Sequence, residues 1–150
     1  MKIIQVVGRS NSGKTTFIRE LIPALKKHGT VAVIKHLGDH EYRLEDGKDT
    51  THFFNAGADV TVGIDADKSV IAIPNNTLEA MLDLLIGQGV DYTVIEGFKQ
   101  KPFPKIVIGN LAIDNSILIN PDIQTVISSL HLFADYPVRK RVDCHDNTKT

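Results

Sequence analysis

Gly8-Arg9-Ser10-Asn11-Ser12-Gly13-Lys14-Thr15 fits G-x-x-x-x-G-K-[ST] without a mismatch. The two glycines let the backbone wrap closely around a phosphate. Its N–H groups then turn inward, at the positive end of a following helix. Lys14 is spaced to reach β and γ phosphates, and the Thr15 hydroxyl to ligate Mg²⁺. Upstream, the apolar run Ile3–Val7, interrupted by Gln5, reads as a strand. Downstream, Thr15–Lys27 reads as a helix, with Phe17, Ile18, Leu21, Ile22 and Leu25 spaced along one face. Strand, glycine loop and helix are the context the motif demands, and together they predict a nucleotide site. Pro23 removes one backbone hydrogen bond inside the helical pattern, so a bend or a short helix is expected there.

Beyond this loop, short β-branched runs alternate with helical patterns, which predicts an α/β domain of the three-layer P-loop NTPase kind with a mostly parallel sheet. Val31–Lys35 is a second strand, and His36–Lys48 a long polar loop. Asp49–Ala56 is a short helix, started by Asp49 or Thr50 and stopped by Gly57. Val60–Ile64 and Ser69–Ile73, joined by Asp65-Ala66-Asp67-Lys68, predict an antiparallel hairpin on the otherwise parallel sheet. Thr77 caps a helix carrying Leu78, Met81, Leu82 and Leu85 at helical spacing. Tyr92–Ile95, Lys105–Ile108 and Ile117–Ile119 are further strands, and Ile123–Phe133 is a last helix. Residues 1–138 make the predicted nucleotide-binding domain, and 139–150 a polar tail.

The chain has 150 residues, with 17 Lys and Arg against 18 Asp and Glu, a length that predicts one domain. A near-neutral charge and few aromatics give no basis for a nucleic-acid or anionic-lipid partner. A single cysteine, Cys144, excludes an internal disulfide and a multi-cysteine zinc site. The first apolar run is too short to be a signal sequence or a membrane span, so a cytoplasmic setting is expected.

A phosphate loop needs a carboxylate at the end of a nearby buried strand to hold Mg²⁺, directly or through water. Glu96 follows Tyr92–Ile95, and Gly97 lets the chain turn close to a phosphate, so Lys14 and Glu96 are the candidate catalytic pair and Thr15 and Glu96 the candidate metal ligands. The loop from Lys35 leaves a strand end, where ligands sit in open α/β sheets. It carries His36, Asp39, His40 and, further on, Asp49. Gly38 between the histidines argues against a helical metal pair; a switch-like or partner-binding loop is the favoured reading, with an inert loop or a metal or phosphate-sensing cluster as alternatives. Arg9 is either an arginine able to reach a partner's nucleotide or a solvated surface side chain. No Asn-Lys-x-Asp segment is present to read guanine. Asn120-Pro121-Asp122 follows a strand and makes Asp122 the candidate base-reading residue, with Asn110 and Asp114 as alternatives.

Taken in order, Gly8–Thr16, Ile34-Lys35-His36, Gly47-Lys48-Asp49-Thr50, Asn55–Ala58 and Glu96-Gly97-Phe98-Lys99 followed by Pro104-Lys105-Ile106 resemble the MobB family of molybdopterin-guanine dinucleotide biosynthesis adapter proteins. The resemblance implies a homodimeric P-loop protein that binds GTP and Mg²⁺ and hydrolyses GTP weakly. It also implies cooperation with a MobA-like guanylyltransferase and with molybdopterin or a molybdoenzyme apoprotein. By motif match, Lys35, His36, Gly47, Lys48, Asp49, Glu96, Gly97 and Lys99 inherit places around the nucleotide or the cofactor, beside the phosphate-loop residues Gly8, Arg9, Ser10, Asn11, Ser12, Gly13, Lys14, Thr15 and Thr16. The chain departs from the family where His36-Leu37-Gly38-Asp39-His40 replaces His-x-His-His and where Asp46 replaces a proline. Two other readings of the residues remain: an ATP-dependent kinase- or ligase-like enzyme, and a nucleotide-gated binding module without significant hydrolysis.

Overall fold

The computed structural model describes residues 1–38, 40–74 and 77–137. Asp39 and the predicted tail at 139–150 lie outside these. The chain divides into two compact units. One holds residues 1–36 and the described residues from 81 onward, and the other holds Leu37–Ala80.

The larger unit is built on five parallel strands: β1 (Lys2–Gly8), β2 (Val31–Lys35), β5 (Tyr92–Glu96), β6 (Lys105–Ile108) and β7 (Ser116–Ile119). Their order across the sheet is β2-β5-β1-β6-β7. β1 therefore sits at the centre, and Ile3, Ile4, Val6 and Val7 are fully buried. A central parallel strand is covered on both faces, which is why the run is apolar rather than alternating. On one face, Ile4, Val6, Val94 and Ile106 pack with Ile18, Leu21 and Leu25 of α1 (Lys14–Leu25) and Val126 of α4 (Ile123–Ser128). The period-2 alternation turns Ile3, Gln5, Val7, Ile95, Lys105 and Val107 to the other face. Because all five strands run the same way, Gly8, Lys35, Glu96, Ile108 and Ile119 end at one edge.

α1 does not stop at Pro23. It runs on to Leu25, and Lys26 N–H still reaches Ile22 O at 2.9 Å. A single missing hydrogen bond in the last turn is outweighed there by the burial of Leu21 and Leu25. The single helix expected over Ile123–Phe133 is interrupted. α4 ends at Ser128, Ser129 N–H is shared between Thr125 O and Val126 O, and Leu130–Leu132 form a 3-10 turn. The break turns Phe133 into the core, where it is 3% exposed.

The smaller unit contains α2 (Asp49–Asn55), the strands β3 (Thr61–Ile64) and β4 (Ser69–Ala72), and the start of α3 (Leu78–Gly87), within which the boundary falls. β3 and β4 pair antiparallel as predicted, but they form a two-stranded sheet of their own rather than joining the parallel sheet. Asp65 Oδ1 accepts from the N–H groups of Asp67 and Lys68, closing the hairpin turn. The N-cap of α2 is Lys48, in extended conformation, not Asp49 or Thr50. Asp49 instead lies in the first turn, where a carboxylate suits the helix dipole.

Candidate functional site

The loop between β1 and α1 takes its shape from residues that tolerate it. Gly13 has φ 92° and Asn11 φ 59°, both left-handed, and Gly13 is the N-cap of α1 without any side-chain capping bond. The amides at the start of α1 are thus left for an external acceptor. At Gly8, a Cβ would collide with Ile108 O and stand 2.5 Å from Ser12 Oγ, so only glycine lets the loop fold back on the end of β6. Lys14 Nζ donates to Arg9 O at 2.6 Å, spanning the loop from end to start.

These residues form one wall of a cleft of about 430 Å³, lined by residues 10–16 together with Lys35 and Glu96. Lys35 and Glu96 are register neighbours at the ends of β2 and β5, and Lys35 Nζ lies 3.7 Å from Glu96 Oε2. The Glu96 side chain is only 13% exposed, while that of Lys35 is 53% exposed. Among the described residues the cleft is therefore lined by two ammonium groups, one shielded carboxylate, the four hydroxyl-bearing side chains of Ser10, Ser12, Thr15 and Thr16, and the uncapped amides at the start of α1. Ser12 Oγ is buried with no hydrogen-bond partner. A polyphosphate fits the cations and amides, and a divalent cation fits Thr15 beside Glu96, with phosphate oxygens and water completing its shell.

Of the residues singled out in the sequence, Ser10, Asn11, Ser12, Gly13, Lys14, Thr15, Thr16, Lys35 and Glu96 come together at this cleft. Gly8 underlies it, and Arg9 is exposed at its loop. His36 and Gly97 meet each other instead. A Cβ on Gly97 would lie 2.9 Å from His36 Cβ, and the His36 ring stacks on Phe98 with centroids 4.3 Å apart. Lys99 is exposed beyond that stack. Asp49, with Gly47 and Lys48, belongs to the smaller unit, where Thr51 Oγ1 donates to Glu45 O at 2.7 Å and Lys48 pairs with Glu45.

Asp122 sits just past β7 as expected, at the same sheet edge, but its side chain has a structural task. It is the N-cap of α4, with Oδ1 accepting from Thr125 N–H at 2.7 Å. That bond holds its carboxyl below the usual carboxylate range. Reasoning from the sequence missed Gln5 and Gly109. Gln5 showed only as the interruption of an apolar strand. Gly109, φ 86°, follows β6 and would place a Cβ 3.1 Å from Ser12 Cβ. A glycine directly after a buried strand was the available signal.

The family model described as MobB, molybdopterin guanine dinucleotide synthesis protein B, matches residues 3–129. A Bacillus subtilis protein named probable molybdopterin-guanine dinucleotide biosynthesis adapter protein is 39% identical over 110 residues, 71% of this chain and 64% of its own length. A Methanocaldococcus jannaschii protein named as a putative adapter of the same kind is 38% identical over 112 residues, 72% of this chain and 47% of its own length. The chain thus spans between about half and just under two thirds of these relatives. The crystal structure of Bacillus subtilis MobB superposes with a TM-score of 0.66 at 34% identity, covering 79% of this chain and 78% of that one. With the family model covering most of its length, the chain belongs to the MobB family.

Proposed function

We propose that this protein binds GTP with Mg²⁺ in the cleft at residues 10–16, Lys35 and Glu96, hydrolyses it slowly, and serves as an adapter in molybdopterin guanine dinucleotide biosynthesis. The observation that carries the reading is the meeting of Lys14, Thr15, Lys35 and Glu96 at one sheet edge in a chain of this family. The names of the relatives support the pathway.

Lys14 and the loop amides hold the β and γ phosphates, and Thr15 and Glu96 hold the metal. Mg²⁺, when bound, supplies positive charge to the phosphate oxygens as charge develops in the transition state. Lys35 adds a second ammonium beside Glu96. Among the described residues no arginine lines the cleft, and a well-placed one contributes about 10³–10⁵ in rate. Slow turnover by the chain alone follows, which suits an adapter that assists a MobA-like guanylyltransferase and hands on a molybdopterin cofactor in the cytoplasm. The homodimer in this reading is supported by the hairpin, whose Val62, Ile64, Val70 and Ile71 are all exposed. A two-stranded sheet with open edges and apolar side chains in water calls for a cover.

Calorimetric titration with GTP and ATP analogues, with and without Mg²⁺, on the wild type and Lys14→Ala tests the reading. It requires GTP to bind at least about tenfold tighter than ATP, a difference of about 1.4 kcal/mol, and the binding to disappear in Lys14→Ala. Equal or ATP-preferring binding would remove the guanine assignment and bring forward a kinase- or ligase-like enzyme.

A further inference from the structure

Gln5 and Lys105 are buried polar residues in strands that are otherwise apolar, with exposures of 0% and 2%. They are register neighbours on β1 and β6, so their side chains leave the same face of the sheet. Burying an amide or an ammonium is unfavourable unless each finds partners. Burial pushes the Lys105 ammonium to a lower pKa, and the charge of Asp114 opposes that shift. Both side chains find their partners in the same segment. Gln5 Nε2 donates to Gly97 O at 2.7 Å and to Phe98 O at 2.8 Å. Lys105 Nζ donates to Lys101 O at 2.7 Å and to Phe103 O at 3.0 Å.

The topology explains why that segment needs them. β5 and β6 flank β1 and run parallel to it, so the chain must return across β1 to the start of β6, which is level with Ile95 because Ile95 and Lys105 both pair with Gln5. Only the eight residues 97–104 make this return, and they contain no helix. An ordinary crossover uses at least about 10–12 residues and satisfies its carbonyls within a helix. Here four carbonyls accept from the two strand side chains below, and Phe98 O takes a second bond from Lys101 N–H at 2.9 Å. The path also begins with two left-handed residues, Gly97 at φ 95° and Phe98 at φ 51°. A phenylalanine keeps that conformation only where its surroundings fix it. Gln5 Oε1 is buried without a partner. Turning the amide over would press that oxygen against two carbonyls, so the amide has one workable orientation.

What these bonds hold stands at the rim of the cleft. Glu96 precedes the turn directly, Gly97 backs onto His36, and the Phe98 ring carries the His36 ring. We propose that Gln5 and Lys105 are positioning residues: by holding the carbonyls of the 97–103 segment they set the direction of the Glu96 carboxylate and keep the His36–Phe98 stack in place. The part of this that concerns Mg²⁺ rests on the proposed function; the part that concerns His36 does not.

The experiment uses Gln5→Met and Lys105→Met, which fill similar space without donors. The first readout is the proton NMR shift of the His36 ring, assigned with His36→Gln. Stacking on Phe98 moves these resonances upfield, and both variants should return them most of the way to the position of a free histidine. The second is the gain in GTP-analogue affinity on adding Mg²⁺. It should fall about tenfold in the variants, while affinity in EDTA, set by the phosphate loop, stays within about twofold. Loss of affinity in EDTA and in Mg²⁺ alike would mean a general loss of folding and overturn the positioning role. An unchanged His36 shift would overturn it as well. A wild type that gains nothing from Mg²⁺ would sink the proposed function, while the His36 shift still decides the positioning claim. Should Gln5→Met not fold, Gln5→Asn, whose shorter amide cannot span both carbonyls, carries the same expectation.

Discussion

Asn120 clasps Gly109 from both sides: its Oδ1 accepts Gly109 N–H at 2.6 Å and its Nδ2 donates to Gly109 O at 3.2 Å. Asn120 itself is left-handed, at φ 47°, and its N–H reaches Val107 O at 2.8 Å. The clasp binds the turn after β6 to the turn after β7, and Gly109 in turn lies against Ser12 of the phosphate loop.

A methyl group at Gly109 therefore has two consequences. It strains a backbone at φ 86° and pushes on Ser12 Cβ from 3.1 Å. Gly109→Ala should destabilise the fold by about 1–3 kcal/mol and also weaken nucleotide binding, because the displaced residue belongs to the loop. Asn120→Gly keeps the left-handed conformation and loses only the clasp, so it should cost about 1–2 kcal/mol and weaken binding less. Thermal melts beside nucleotide titrations separate the two effects. Gly109→Ala binding nucleotide as tightly as the wild type would show that Ser12 does not transmit the contact.

Glu96→Gln keeps the shape of the side chain and removes the charge from the one carboxylate that lines the cleft among the described residues. Mg²⁺ dependence of nucleotide binding should weaken by about 10–100-fold, and GTP turnover should be abolished, since Thr15 is then left without the carboxylate proposed to share the metal with it. Association with a MobA-like partner should survive if nucleotide binding alone orders the partner surface. A pull-down in the presence of a GTP analogue measures this, and loss of association together with turnover would favour an enzyme whose catalysis is the function.

The opposite edge of the sheet gives a pH prediction. Thr30 N–H and Thr30 Oγ1 donate to Asp91 Oδ2 at 2.8 and 2.9 Å, tying the entrances of β2 and β5 together. These bonds hold the Asp91 carboxyl below its ordinary pKa of 3.8. A carboxylate with a lowered folded-state pKa adds stability that is fully present above its ordinary value and is lost as pH falls through the folded value. Asp91→Asn should accordingly lower the melting temperature at pH 6, and the gap to the wild type should close below about pH 4. Nucleotide binding at neutral pH should be unchanged, because this staple lies away from the strand ends that form the cleft. A constant gap across the pH range would show that the Asp91 charge has no part in it.

Much of the cleft was legible in advance because phosphate chemistry imposes local spacing. Gly8 to Thr15 are contiguous, and Lys35 and Glu96 close two neighbouring parallel strands whose shared direction brings their ends together. What escaped is held by distant backbone. Gln5 bonds to carbonyls more than ninety positions away, and no local pattern distinguishes that from a chance polar residue in a strand. The hairpin was readable as a hairpin, from Asp65 and its turn, but nothing in β3 or β4 says which sheet they join. The break at Ser129 was hidden too, since Ile123 to Phe133 keep a helical apolar spacing and only the burial of Phe133 forces the turn.

The proposed selection of guanine is testable at Asp122. A carboxylate can accept both guanine edge donors, the N1–H and the exocyclic amine, whereas an amide offers one acceptor and one donor and suits the N1–H and carbonyl of xanthine. Asp122 already uses Oδ1 to cap α4, and asparagine caps a helix as well as aspartate does. Asp122→Asn keeps the cap but loses the charge that the Thr125 bond favours, so the melting temperature at pH 7 should fall a little, while GTP affinity falls at least about tenfold and xanthosine triphosphate affinity rises. Asp122→Ala should lose both the cap and the base preference. Competition titrations with the two triphosphates, run beside thermal melts, give the answer. If Asp122→Asn keeps its preference for GTP, Asp122 is a helix cap alone, and guanine selection must be sought at Asn110 or Asp114.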